Sequence, residues 1–203
     1  MANPKMSTFS GDDISIIELF DLLKVEPREN GKPEEWLKIL RREVVEKPVI
    51  FIGTGTCGLG AGAGKTLHRI YEYLEEKQIE ADVVEVGCIG LCVEEPIVEV
   101  QLPGKTRVAF RKVTVGNIDL ILDSIFSNKI LLDNVIGQHR AEGLESWENI
   151  VMIDEHPFFA PQTRWVLSNC GIIDPVNIDE YIARGGFRAL SKVVSSYTRE
   201  EIC

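Results

Sequence analysis

The residues of this chain with the most distinctive chemistry are its five cysteines: Cys57, Cys88, Cys92, Cys170 and Cys203. Cys88 and Cys92 stand four residues apart in Gly-Cys-Ile-Gly-Leu-Cys, a glycine-containing loop after an apolar run. The N-terminus lacks a basic stretch followed by an apolar core, so no secretory signal and no disulfide framework are predicted. Closely spaced cysteines in such a chain are more often metal ligands or reactive thiols than disulfide partners.

Cys57 is predicted to lie beside that pair. It belongs to a glycine-rich loop, 53–64, that follows the apolar strand 49–52, whereas the pair follows a second strand, 83–86. An amphipathic helix at 65–77 joins the two halves. Because neighbouring parallel strands of a βαβ unit end at the same edge of the sheet, the three sulfurs are expected to converge. The alternative is that all three cysteines are small buried residues.

The glycine-rich loop also resembles two nucleotide-binding motifs, but in each match a required feature stands at the wrong position. Residues 53–58 match G-x-G-x-x-G, but the helix is predicted to begin only near Gly64, and Asp82 lies beyond the usual acidic position. Residues 62–66 match the end of a P-loop, but Leu59 stands where that motif needs glycine. Nucleotide binding is therefore the least favoured function.

The remaining pattern predicts an α/β fold. Strands at 97–100 and 107–110 flank Pro103-Gly104, which indicates a hairpin, and a helix is predicted at 117–126. The order β-α-β-β-β-α is that of a thioredoxin-like domain. Its predicted limits are 47–128.

Two further regions flank this domain. Residues 1–46 are predicted as an N-terminal helical extension with helices at 14–24 and 34–45. Residues 129–203 are predicted as an extended and helical adapter. Within the adapter, a connector is predicted at 131–146, an extended stretch at 151–153, and helices at 176–184 (with Asp174-Pro175 as N-cap and first turn) and 187–194.

These residues also carry a family resemblance. Gly-Thr-Cys-Gly at 55–58, the run 87–92 and Glu-Pro at 95–96 resemble thioredoxin-like [2Fe–2S] ferredoxins. More particularly, they resemble the ferredoxin domain fused to NADH-binding flavoprotein subunits of soluble hydrogenases, formate dehydrogenases and complex-I-like assemblies. The stretch 157–186 is similar to the start of the flavoprotein core in that family. The resemblance covers roughly 47–203.

The resemblance implies a [2Fe–2S] cluster held by Cys57, Cys88 and Cys92, and the sequence departs from the family at the fourth ligand. The family has two cysteines in the first loop, and here the missing one aligns with Ile52 or Gly62, neither of which ligates iron. A cluster of this kind needs four protein ligands. The fourth is not identified from the sequence.

Three alternatives follow from the incomplete ligand set. The cluster is lost and the domain is a structural module that docks partner subunits, or an unusual ligand completes the cluster. The third is a zinc site in which His68 joins the cysteines. Cys170 is predicted to be a small buried residue, and His139 and His156 are predicted to be isolated surface residues.

The predicted function is a subunit or fragment of an NADH-linked oxidoreductase complex that serves in electron transfer or assembly. The family's FMN site, NADH site and [4Fe–4S] domain have no counterpart in this chain, so catalysis by the chain alone is not expected. The capping box at 198–201, followed at once by the last residue, predicts a chain cut before another domain. The expected partners are other subunits of the complex or the missing flavoprotein core.

The net charge and the hydropathy of the sequence disfavour some classes of partner and some cellular locations. A net charge of −10 argues against nucleic acid, because the phosphates would be repelled. No apolar run approaches the roughly 20 residues that a membrane span needs. A cytoplasmic location is expected.

Overall fold

The structure is a computed structural model that describes residues 33–203. The predicted helix 14–24 and most of the N-terminal extension lie outside the described residues. The described chain forms two compact units, one of residues 43–175 and one that combines 33–42 with 176–203. No helix among residues 33–203 combines the length and the apolar character needed to cross a membrane.

A five-stranded mixed sheet forms the centre of the larger unit. Its strand order is β2-β1-β3-β4-β5. Strands β1 and β2 are parallel, and every other neighbouring pair is antiparallel. The strands are β1 (Val49–Gly53), β2 (Asp82–Val86), β3 (Val98–Gln101), β4 (Val108–Phe110) and β5 (Val135–Gln138).

Seven α-helices are described in residues 33–203, and three of them lie between β1 and β5. They are α1 (Pro33–Leu40), α2 (Thr56–Ala61), α3 (Ala63–Lys77), α4 (Ile118–Phe126), α5 (Ile178–Ala183), α6 (Arg188–Ser196) and α7 (Arg199–Ile202). The order β1-α2-α3-β2-β3-β4-α4, with its parallel and antiparallel parts, is the thioredoxin-like arrangement. The predicted α/β fold class is confirmed.

One face of the sheet, called the helix face here, is mainly apolar and packs against α3 and α4. Its strand side chains are Ile50, Ile52, Val98, Val100, Val108 and Phe110. The helices add Ile70, Tyr73, Leu74, Ile118, Ile121, Leu122 and Ile125. Burying one such large side chain contributes about 1.5–3 kcal/mol, so this face supplies most of the hydrophobic stabilisation.

The opposite face, called the loop face here, carries Phe51, Glu99, Ala109 and Gly137 as neighbours across β1, β3, β4 and β5. Irregular chain covers it. A Cβ on Gly137 would lie 3.0 Å from the Cα of Ile153, so the missing side chain lets that chain pass closely. We call residues 151–172 the cover segment.

Two local predictions in this unit are wrong. The predicted loop 53–64 contains α2, which begins at Thr56, and α3 begins two residues before the predicted Lys65. Glycine disfavours helix, but packing overrides propensity here: a Cβ on Gly58 would lie 2.0 Å from the Gly53 carbonyl oxygen. The predicted connector 131–146 contains β5, which extends the sheet beyond β4.

In the smaller unit, Arg42, two residues after the end of α1, forms an ion pair of 2.8 Å with Glu180 of α5. Helix α1 ends at Leu40, earlier than predicted, and the Asn177 side chain caps α5 in place of the predicted Asp174. Helix α6 covers the predicted 187–194 within one or two residues. The predicted capping box is present at the start of α7.

Candidate metal centre

The site lies at the edge of the sheet where β1 and β2 end together. Gly53 and Val86, the last residues of these parallel strands, are register partners. Cys57 follows β1 in the first turn of α2, and Cys88 follows β2. The two connections touch, since a Cβ on Gly55 would lie 3.4 Å from the Cys88 Cβ.

The structure brings the three predicted cysteines together. The Sγ atoms of Cys57, Cys88 and Cys92 all lie within 4.8 Å of one another, and those of Cys88 and Cys92 are 3.6 Å apart. Cys57 and Cys92 are exposed, and Cys88 is half-buried. The convergence that the strand order predicts is therefore observed, and metal ligation by these residues stays a prediction.

Two features of the second loop act directly on Cys88. The Gly90 N–H donates a hydrogen bond of 3.2 Å to the Cys88 Sγ. Gly90 has φ +95°, a left-handed conformation that favours glycine. Burial raises the pKa of the Cys88 thiol, the Cys92 thiol raises it further, and the Gly90 hydrogen bond partly opposes both. A metal that binds Cys88 must therefore displace its proton.

A buried carboxylate interacts with the Cys88 thiol. Glu95 is 5% exposed, and its Oε2 accepts a hydrogen bond of 2.8 Å from the Ile97 N–H. Burial raises the pKa of Glu95, and hydrogen bonds from the Ile97 N–H and the Cys88 thiol oppose that rise. In the sequence, Glu95-Pro96 contributed only to the family resemblance, and no residue spacing identified Glu95 as a candidate site residue.

A buried ionic network on the loop face holds the cover segment. The Arg107 guanidinium stacks on the Phe51 ring, with its central carbon 3.4 Å from the ring centroid, and forms an ion pair with the Glu99 carboxylate. It also donates to the carbonyl oxygens of Gly171 (2.6 Å) and Ile172 (3.3 Å). One arginine thus joins the sheet to the end of the cover segment.

His139 belongs to the same network, although the sequence predicted an isolated surface residue. Its Nε2 lies 2.9 Å from the Glu99 Oε2. Burial by itself raises the pKa of Glu99, but Arg107 and His139 outweigh burial and hold that pKa at about 2. Glu99 is therefore ionised in the folded protein.

The cover segment also rests on the cysteine loop. A Cβ on Gly171 would lie 2.1 Å from the Ile89 Cγ2, and one on Gly90 would lie 3.7 Å from the Phe158 ring. Ile89 and Phe158 belong to one apolar cluster on this face. The Arg107 network therefore fixes the chain that packs on the loop between the second and third candidate ligands.

The other candidates do not join the sulfurs. The His68 side chain is 79% exposed and pairs with Glu72 at 3.2 Å, and it is absent from the three-sulfur group in the described chain. The structure therefore gives a zinc site with His68 no support. Cys170 is half-buried beside Gly171 and also lies outside that group.

The positions where the resemblance expects a further cysteine are occupied by structural residues. Ile52 is fully buried on the helix face. Gly62 has φ +104° and ends α2. Neither position offers a donor side chain.

The donor set fits an iron–sulfur group in its chemistry and is one ligand short. Thiolates are the ligands that hold such clusters. Two thiolates on one tetrahedral metal, with bonds of about 2.3 Å, lie roughly 3.8 Å apart, close to the Cys88–Cys92 separation. Because Cys57 and Cys92 are exposed, their side chains have room for the wider spacing across two irons.

By sequence, the chain is similar to a subunit of a hydrogenase. No family model matches the chain. The chain is 27% identical over 84 residues to the NADP-reducing hydrogenase subunit HndB of Solidesulfovibrio fructosivorans. The match covers 37% of this chain and 67% of that subunit.

Among solved structures, the chain is similar to a thioredoxin-like [2Fe–2S] ferredoxin from Aquifex aeolicus. One structure of it has 16% identity and a TM-score of 0.40, and covers 50% of this chain and all of the ferredoxin. A crystal structure of the wild-type ferredoxin gives 17% identity, a TM-score of 0.40, and coverage of 45% and 98%. The thioredoxin-like assignment above rests on strand order and not on this likeness.

Proposed function

We propose that this chain is an electron-transfer module of a multi-subunit oxidoreductase, in which Cys57, Cys88 and Cys92 are ligands of a [2Fe–2S] cluster. The observation that carries the proposal is the convergence of three thiols, within 4.8 Å of one another, at one edge of the sheet. Such a cluster supplies one-electron transfer when it is bound.

The surroundings of the three cysteines suit that role. Cys57 and Cys92 are exposed, so a group bound there lies at the surface, where a partner subunit can approach it. The Gly90 N–H already donates to the Cys88 sulfur. Hydrogen bonds to ligand sulfurs are among the features that set the reduction potential of a cluster.

The proposed setting is a nicotinamide-linked complex in the cytoplasm. The similarity to a hydrogenase subunit supports a multi-subunit oxidoreductase, and the resemblance of 157–186 to the start of a flavoprotein core supports a flavin-containing partner. The FMN and NADH sites would belong to that partner. In this proposal the chain is divided into 1–46, 47–128 and 129–203, with the cluster in the middle part.

The test is reconstitution of the full chain with iron and sulfide under anaerobic conditions. The expected result is about two irons and two sulfides per chain, with visible absorption that bleaches on one-electron reduction. Single serine variants of Cys57, Cys88 and Cys92 should lose this absorption. The matched controls Cys170→Ser and Cys203→Ser should keep it.

A cluster-free docking module is the second candidate, and one observation favours it. The two positions that could align with the missing cysteine, Ile52 and Gly62, carry no donor side chain, so the set of cysteines is incomplete. A colourless, iron-free protein after reconstitution would contradict the electron-transfer proposal and support this candidate.

A further inference from the structure

The strongest unexplained feature next to the cysteines is the burial of Glu95. Its side chain is 5% exposed. Among the described residues, no arginine, lysine or histidine forms an ion pair with it, in contrast to Glu94, which lies 3.6 Å from Arg111, and to Glu99. Buried carboxylates that stay charged are paired with a cation or coordinate a metal. Within residues 33–203, Glu95 has no such cationic partner.

The Glu95 carboxylate lies at the end of β1, between the two glycines that flank the first loop. A Cβ on Gly53 would be 3.3 Å from its Oε2 and 3.4 Å from its Oε1. A Cβ on Gly58, the residue after Cys57, would be 3.4 Å from its Oε2. Side chains larger than glycine at these positions would crowd the carboxylate. It therefore occupies space that the two loops leave for it.

The carboxylate is held in place and retains capacity to bind. The Ile97 N–H donates to Oε2 at 2.8 Å, which fixes the orientation of the group. An ionised carboxylate offers about four acceptor positions, so this hydrogen bond leaves others for a metal. The same group interacts with the Cys88 thiol. The Glu95 oxygens lie outside the group of three sulfurs that are within 4.8 Å of one another, so ligation by Glu95 requires its side chain to move towards the bound metal.

We propose that Glu95 supplies the fourth ligand of the metal centre, through a carboxylate oxygen, and so completes the set of Cys57, Cys88 and Cys92. The inference rests on the proposed function in that it takes the three cysteines to bind a metal. Glutamate oxygen is an established ligand for zinc, and carboxylates also bind iron in proteins. Three sulfurs and one oxygen give the coordination number that the cysteines alone lack.

The test compares Glu95→Gln with the matched control Glu94→Gln in the full chain. Each change removes one carboxylate from the same short segment, and glutamine at 95 keeps an oxygen that can accept the Ile97 hydrogen bond. The probe is Co²⁺, added anaerobically to the metal-free protein and followed by its visible absorption. Circular dichroism of the metal-free variants checks that both fold.

The expected result is that Glu95→Gln weakens Co²⁺ binding at least about tenfold, the lower end of what loss of an outer-shell partner costs. Its Co²⁺ spectrum should also change, while Glu94→Gln matches the wild type. Glu95→Cys is a second, independent variant. It should bind Co²⁺ with stronger sulfur-to-metal absorption than the wild type, because a fourth thiolate replaces the oxygen. After iron–sulfide reconstitution, the same variant should hold more iron than Glu95→Gln.

The outcomes distinguish failure of the Glu95 assignment from failure of the proposed electron-transfer function. If the wild type binds neither Co²⁺ nor iron, the proposed function fails, and the role of Glu95 fails with it. In a second outcome, the wild type binds Co²⁺ through the three cysteines while Glu95→Gln and Glu95→Cys have the same Co²⁺ affinity and spectrum as the wild type. That result would overturn only the Glu95 assignment. A loss of binding in Cys170→Ser would then identify Cys170 as the remaining donor.

Discussion

The two faces of the sheet are built in different ways. The helix face buries aliphatic and aromatic side chains against α3 and α4. The loop face buries the ionic network of Glu99, Arg107 and His139 under irregular chain. The loop face is linked to the cysteine loop, because the Gly171 carbonyl oxygen accepts a hydrogen bond from Arg107 and Gly171 packs on Ile89.

This difference indicates that the fold and the site are stabilised by different interactions, apolar packing on one face and ion pairing on the other. Apolar packing is tolerant, since its contributions are spread over many side chains and volume-conserving changes cost little. A buried ion pair is intolerant, because loss of one partner leaves the other charged and desolvated. We therefore expect the loop face to respond to single substitutions more sharply, and to transmit that response to the metal centre.

The largest expected effect is that of Arg107→Ala. It leaves the buried Glu99 without its main cation and should lower the free energy of unfolding by about 3–5 kcal/mol. The control is Arg140→Ala, which removes an exposed arginine that pairs with Asp154 and Glu155. Urea unfolding measures both. Equal losses in the two variants would show that the buried network has no special weight.

On the helix face, Leu122→Ala should cost about 2–5 kcal/mol, because it leaves a cavity in the core. Leu120, two residues earlier on α4, is 61% exposed, and its change to alanine should stay within about 0.5 kcal/mol. Metal binding per folded molecule should be unchanged in both variants. A loss of metal affinity in folded Leu122→Ala protein would remove the proposed separation between the faces.

Acid should weaken the loop face through Glu99. The Arg107 and His139 partners outweigh burial and hold the pKa of Glu99 at about 2, below its ordinary value, so the unfolded chain binds the proton first as pH falls. This contribution to stability is present above about pH 4.3 and is lost as pH falls towards 2, with a slope of up to about 1.4 kcal/mol per pH unit. Urea unfolding as a function of pH should show a shallower slope in Glu99→Gln. Identical slopes would contradict the assignment.

The smallest of these effects, and the most specific, concerns Gly171. Alanine there must adopt φ +79° and would place its Cβ 2.1 Å from the Ile89 Cγ2. Gly143→Ala is matched in backbone, with φ +76°, and meets open space. The difference in unfolding free energy between the two variants should be about 1–3 kcal/mol, the cost of overpacking. Folded Gly171→Ala should also bind Co²⁺ differently, whereas an unaltered spectrum would show that the cover segment does not influence the cysteine loop.

The sequence predicted the helix face well because its signals are local. Apolar strand runs and the 3.6-residue period located β1 to β4, α3 and α4 close to their observed limits. Helix α2 was missed because its glycines disfavour helix, and contact between Gly58 and Gly53 decides the outcome. Strand β5 was missed because its pattern is short and includes Gly137 and Gln138.

The loop face and part of the site depend on pairs far apart in sequence. His139 meets Glu99 across 40 residues, and Arg107 meets Gly171 across 64. The cysteines were found because two strand ends predict where they meet. Glu95 was missed because a single glutamate before a proline has no periodic signature, and its burial is set by tertiary contact.

Anomalous X-ray diffraction from crystals of the anaerobically reconstituted full chain, with data on both sides of the iron absorption edge, tests the central claim most directly. The account predicts iron peaks bounded by the Sγ atoms of Cys57, Cys88 and Cys92, with a Glu95 oxygen in the coordination sphere. Iron located elsewhere, or three free thiols in crystals that contain no iron, would contradict it.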